Sequence, residues 1–229
     1  MRYQDAMRSL RDSADTKIAR ILERRNPGVI VMGVRFGDLE PLAKRIGKDH
    51  AMAMRLWDTG ILDARFLSTM IDEPAELMRA EVDMMVKQLD YPVLADMFAH
   101  NVYRTRWALA LMRRWTSRKA EFVRRAGYAL LYDFAADPDS GVDEVELAAF
   151  LIQIQDEIHG SANWAREMMN MVPVAIGKTH PDLAKQALAA ASAYGEIEVF
   201  HGDNTNCKIW NAAQALRDPK VKVRAPATR

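Results

Sequence analysis

Apolar residues along this chain recur three and four positions apart, segment after segment, with short polar breaks between. In 3–25, Ala6, Met7, Leu10, Ile18, Ile21 and Leu22 keep close to helical spacing until Asn26-Pro27-Gly28 interrupts it. Asp38 is positioned to cap a helix running to Ile46, with Gly47 as its stop. The same spacing predicts helices at about 49–58, 62–71, 75–89, 93–101, 103–115 and 117–136. Asp137-Pro138-Asp139-Ser140-Gly141 reads as a loop, and further helices are expected at about 143–158, 162–176, 181–193 and 206–217. The segment 29–34 could pass for a strand. It is isolated, however, and reads as a loop or a short helix entering the next pair.

Short amphipathic helices joined by tight turns predict antiparallel pairs stacked side by side. The expected fold is therefore all-α, an α–α superhelix of HEAT-like (ARM-type) helix repeats of about 30–40 residues each. The repeats are too divergent to align by eye. Residues 1–217 are expected to form one solenoid domain, and 218–229, basic and containing Pro219 and Pro226, a mobile tail.

Composition narrows the classes of function. The chain has 229 residues, 49% of them hydrophobic and 28% charged, which is ordinary for a folded domain. No apolar run approaches bilayer length, and the charged start (Arg2, Asp5, Arg8, Arg11, Asp12) lacks the apolar core of a signal peptide. Cys207 is the single cysteine, so an intramolecular disulfide is impossible and a cysteine zinc site is not expected. These features lead us to expect a cytoplasmic protein without membrane contact.

The net charge of +1 hides an uneven distribution. Residues 104–125 hold Arg104, Arg106, Arg113, Arg114, Arg118, Lys119, Arg124 and Arg125 against Glu121 alone, a net of +7. The segments before and after carry net charges of −1 and −5. Guanidinium groups at this density repel one another unless phosphates, carboxylates or water compensate. Two readings follow: a phosphate-binding surface, or a solvated face balanced by the protein's own acids.

Other candidate chemistry is sparse. Asp96, between Leu94, Ala95, Met97 and Phe98, is either a buried carboxylate with an altered pKa or an outward-pointing one, and sequence favours the latter. The histidines, His50, His100, His159, His180 and His201, show no metal-ligand spacing, so no metal site is expected. No serine sits in a nucleophile elbow and no glycine-rich loop opens a helix, so no cofactor is expected either. The 14 methionines read as core filler.

Several stretches together resemble a known family. They are Gly33 to Leu39, Leu42-Ala43-Lys44-Arg45-Ile46, Lys48-Asp49-His50, Leu56-Trp57-Asp58-Thr59-Gly60 and Asp63-Ala64-Arg65. Farther on come Glu121 to Gly127, Ile176-Gly177-Lys178-Thr179-His180-Pro181, and His201-Gly202-Asp203 leading to Asn206-Cys207-Lys208. In order and extent, over about 30–217, these are similar to the AlkD-like DNA alkylation repair family. The resemblance implies a helical superhelix gripping duplex DNA in a basic groove. Its glycosylases remove cationic N3- and N7-alkylated purines without a base-flipping pocket, a carboxylate stabilising the developing sugar cation. Carried over, the family's catalytic aspartate and arginine fall on Asp96 and Arg125, the latter as a phosphate holder. Its two tryptophan positions fall on Pro92 and Met171, so both aromatics are replaced; Tyr91 and Trp164 stand nearby as substitutes.

Three functions remain open at this level. One is a double-stranded DNA binder that hydrolyses the N-glycosidic bond of alkylated purines. The second is a non-catalytic binder of branched or distorted DNA, and the third a solenoid scaffold for an acidic protein partner.

Overall fold

A computed structural model describes residues 1–202 and 208–224. Among them the chain forms thirteen α-helices and no strand. In order these are α1 (Tyr3–Asp12), α2 (Thr16–Arg25), α3 (Phe36–Ile46), α4 (His50–Trp57), α5 (Leu62–Ile71), α6 (Arg79–Met85) and α7 (Pro92–Tyr103). They continue with α8 (Ala108–Thr116), α9 (Glu121–Ala136), α10 (Glu144–Glu157), α11 (Asn163–Thr179), α12 (Ala184–Tyr194) and α13 (Ala212–Arg217). Single 3₁₀ turns, Val86–Gln88 and Pro181–Leu183, precede α7 and α12.

The helices form two layers. In one, α5, α7, α9, α11 and α13 lie side by side, each against the next. In the other, α4 backs α5, α8 backs α9, and α10 and α12 pack together with α12 against α11. The hydrophobic core runs between the layers, through Trp57, Phe66, Phe98, Trp115, Leu130 and Ile176, all essentially free of solvent. This is the helix-repeat superhelix expected from the sequence.

Polar contacts reveal the repeat length that sequence could not. Trp57 bonds Gln88, Asn101 bonds the Thr69 carbonyl, His100 meets Asp133, and Tyr103 donates to Asp137. The separations in the chain are 31, 32, 33 and 34 residues. Each side chain thus reaches into the neighbouring repeat.

Local chemistry explains where boundaries differ from the spacing. The predicted helix 3–25 is two helices, because the Asp15 carboxylate accepts the Lys17 N–H at 2.8 Å and starts α2 as an N-cap. Helix α3 begins two residues ahead of Asp38, which lies in its first turn rather than capping it. The segment 29–34 is a loop pinned by a buried acid: Met32, Gly33 and Val34 donate their N–H groups to the Asp63 carboxylate at 2.6, 3.3 and 2.6 Å. Of the predicted 206–217 helix, residues 208–217 are described and only Ala212–Arg217, α13, is helical; 208–211 are not. Asp203, Asn206 and Cys207 lie outside the described residues, as do 225–229.

Candidate functional site

Asp96, Arg125 and Glu167 occupy the same register, four residues into α7, α9 and α11, and meet at one point on the helix row. Arg125 and Tyr132, seven residues apart on α9, share a face. Gly127 points the opposite way, where a Cβ would lie 2.5 Å from the backbone nitrogen of Thr116 on α8. The Asp96–Arg125 cluster therefore faces away from the second layer.

Arg125 is 5% exposed, and each of its three guanidinium nitrogens donates to a protein acceptor. Nε donates to Asp96 Oδ1 and to the Pro92 carbonyl at 2.8 and 3.1 Å, and Nη2 to Asp96 Oδ2 at 2.7 Å. Nη1 donates to Glu167 Oε2 and to the Trp164 carbonyl at 2.6 and 2.7 Å. The expected phosphate holder is thus occupied by the protein itself: two carboxylates and two carbonyls lie on its guanidinium. Asp96 is half-buried, not outward-pointing as sequence favoured. Burial pushes its carboxyl above the ordinary range, Arg125 pulls it down, and the Glu167 charge adds to the upward push.

The ring positions around this cluster are closed. Pro92 is buried as the first residue of α7, where its missing N–H costs nothing. Met171 is half-buried and packed on the core. Tyr91, 1% exposed, packs edge-on against Phe66 with centroids 6.0 Å apart. Trp164, 4% exposed, packs edge-on against His201 at 5.4 Å. The His201 imidazole sits over Glu167, Nε2 to Oε1 3.4 Å, and burial holds its pKa below the usual histidine value. Neither neighbouring aromatic offers a ring to a ligand. Glu167 is the residue of this cluster that the sequence did not single out, and nothing local tied His201 to it, because the two lie in different repeats.

The eight cations of 104–125 do not form one surface. Arg104 and Arg106 stand in the loop between α7 and α8, Arg106 over the Trp107 ring at 5.1 Å. Arg113 and Arg114 belong to α8, in the other layer; Arg113 forms a two-bond pair with Glu146 at 2.7 Å, and Arg114 pairs with Asp83. Arg124 pairs with Glu157. These pairs again join neighbouring repeats, 31 and 33 residues apart. Much of the charge excess is thus compensated internally.

Apart from the α7–α8 loop, uncompensated charge gathers at one place. Arg118 and Lys119, in the loop before α9, and Lys87, in the turn before α7, are exposed and have no ion-pair partner among the described residues. With Arg114 and Asp83 they border a hollow of about 420 Å³ floored by Val86 and Trp115. Four cations face one carboxylate there. Lys87 was missed from sequence because it lies outside the basic segment and only packing brings it in.

Among the described residues no group of three or more His, Cys, Asp or Glu side chains is arranged to hold a metal, and no helix is long and apolar enough to cross a membrane.

A family model described as DNA alkylation repair enzyme matches residues 6–215. Comparison with curated proteins gives no match. Among solved structures, the chain is similar to one described as a new family of proteins related to the HEAT-like repeat DNA glycosylases with affinity for branched DNA structures. The two share a TM-score of 0.85 and 22% identity over 95% of this chain and 93% of the other. That likeness establishes the fold.

Proposed function

The chain belongs to the DNA alkylation repair family, and from that premise we propose that it binds double-stranded DNA through its phosphates, branched or distorted duplex included, without hydrolysing the N-glycosidic bond. The observation that carries this reading is the closed Asp96–Arg125 pair, both carboxylate oxygens held by one guanidinium. A carboxylate serving a developing sugar cation must direct its charge at that cation, and here a fixed guanidinium already takes it. Pocketless recognition of a cationic purine also relies on exposed rings, and Pro92, Met171, buried Tyr91 and buried Trp164 provide none.

Phosphate contact is assigned to Arg118 and Lys119, with Lys87 and Arg114 beside them. Arg104 and Arg106, in the α7–α8 loop, form a separate cationic site, and the paired Arg113 and Arg124 shape the repeat stack instead of meeting DNA. The affinity for branched DNA described for the similar structure agrees with this assignment. A single cysteine and a DNA ligand fit a cytoplasmic location. The reading has no need of a metal or cofactor.

Binding of linear duplex and a four-way junction, measured by fluorescence anisotropy across salt concentrations, tests it. Binding should weaken steeply with salt, and R118E/K119E should lower the slope of log K against log salt by about two, since each phosphate contact contributes about 0.9. Release of 7-methylguanine from methylated DNA should stay at the spontaneous rate. Release above that rate, abolished by Asp96→Asn, would overturn the non-catalytic assignment and restore Asp96 and Arg125 as catalytic residues. A slope near zero would favour a protein partner.

A further inference from the structure

The segment after α13, read from sequence as the start of a mobile tail, is laid along α9. Lys178 Nζ donates to the Asp218 carbonyl at 2.7 Å, and the Asp218 carboxylate accepts the Lys220 N–H at 2.8 Å, which turns the chain. Val221 and Val223 then pack against the core, while Lys220, Lys222 and Arg224 stay exposed. The backbone N–H of Arg224 donates to the Tyr132 hydroxyl at 3.0 Å, and its guanidinium reaches Asp133 at 3.2 Å with the Tyr132 ring beneath it at 5.9 Å.

These anchors fix where the segment lies. Tyr132 shares the α9 face of Arg125, and Asp133 also receives His100, one turn beyond Asp96 on α7. The segment therefore runs over the face that carries the Asp96–Arg125–Glu167 cluster. That face by itself is still net acidic: Asp96, Glu167 and Asp133 stand against Arg125 and against Arg25, which lies beside Tyr91 and His201. An anionic polymer would be repelled from it. Lys220, Lys222 and Arg224 reverse the balance, with three cations added at fixed positions.

We propose that 220–224 is a docked cationic arm that converts an acidic helix face into a phosphate-binding one, its two valines serving as the anchor and its three cations as the contact. The proposal rests on the DNA-binding reading above and adds a second contact surface to the Arg118/Lys119 hollow. Because the arm is already held by Tyr132, Asp133 and the core, little ordering is left to be done when DNA arrives. Arg224 has a double part, neutralising Asp133 and presenting its free edge outward.

The full-length chain, K220E/K222E/R224E and the milder K220Q/K222Q, which leaves the Arg224 anchor in place, are compared for binding to a fluorescent duplex across salt. The charge-reversed variant should bind about tenfold more weakly at moderate salt, with the salt slope reduced by two to three, about 0.9 for each lost contact. K220Q/K222Q should show about two-thirds of that reduction while melting at the wild-type temperature, which separates lost contact from lost folding. An unchanged slope in both variants, with wild-type binding and the R118E/K119E effect intact, would overturn the arm alone. Tighter binding by either variant would also overturn it, making the segment a blocking strap. No salt-sensitive binding by the wild-type chain would sink the DNA reading and the arm together.

Discussion

Arg125 meets Asp96 edge to edge, Nε 2.8 Å from Oδ1 and Nη2 2.7 Å from Oδ2, joining α9 to α7 across one helix repeat. With Glu167 on α11 the same guanidinium ties three successive helices of one layer. In the function proposed above, the residues that a repair enzyme would use for chemistry serve as a structural clasp. Arg125→Ala should therefore destabilise the fold by about 3–5 kcal/mol, because two half-buried carboxylates lose their common cation. Asp96→Asn, which keeps an acceptor and Glu167 as partner, should cost about 1–3 kcal/mol. Urea denaturation reads both, and equal, negligible losses would mean that the clasp holds nothing.

At Gly127 helices α8 and α9 approach each other closely. An added Cβ would lie 2.5 Å from Thr116 N and 2.6 Å from the Trp115 carbonyl carbon, backbone atoms that cannot swing aside. Gly127→Ala should lower stability by about 1–3 kcal/mol through the forced separation of α8 from α9, despite alanine's better helix propensity. A stabilised variant in thermal melting would contradict that packing.

Asp63 is wholly buried and its carboxylate organises the loop before α3 through three backbone N–H groups. Asp63→Ala leaves those donors without an acceptor and should cost about 3 kcal/mol or more. Hydrogen exchange should show Met32, Gly33 and Val34 losing protection ahead of the helices. Uniform protection in the variant would show that another group fixes this loop.

His50 lies between two acids, Nδ1 2.8 Å from Asp72 and Nε2 3.4 Å from Glu81. Burial alone would lower its pKa, but Asp72 and Glu81 prevail and raise it above the usual 6.5. A histidine with a raised folded-state pKa contributes stability that is full below the unfolded value and fades as pH climbs through the folded one. The stability gap between wild type and His50→Gln should be widest near and below pH 6.5 and shrink in alkaline solution. A gap that widened with pH would reverse the sign of this interaction.

How much of this was legible beforehand differs from residue to residue. Leu62–Ile71 was read to its ends, because Gly60 and Asp72 bound an uninterrupted apolar period. The 3–25 segment was read as one helix, since apolar spacing continues through Asp15 and only the capping bond shows the break. Asp96 and Arg125 were paired by family likeness, yet Glu167 and His201, which complete the cluster, come from distant repeats without any local signal. The cations of 104–125 were counted correctly and grouped wrongly, because adjacent positions on a helix and its flanking loops face different directions.

What the sequence determined by itself is the class of fold: helical periodicity and frequent short breaks admit only stacked helix pairs, and that information is local. What only the tertiary structure decided is the fate of the charges. Whether a guanidinium is free for a phosphate depends on which carboxylate stands across the helix interface, 29 to 42 residues away, and no local pattern encodes that distance. Arg113, Arg124 and Arg125 found such partners; Lys87, Arg118 and Lys119 found none among the described residues.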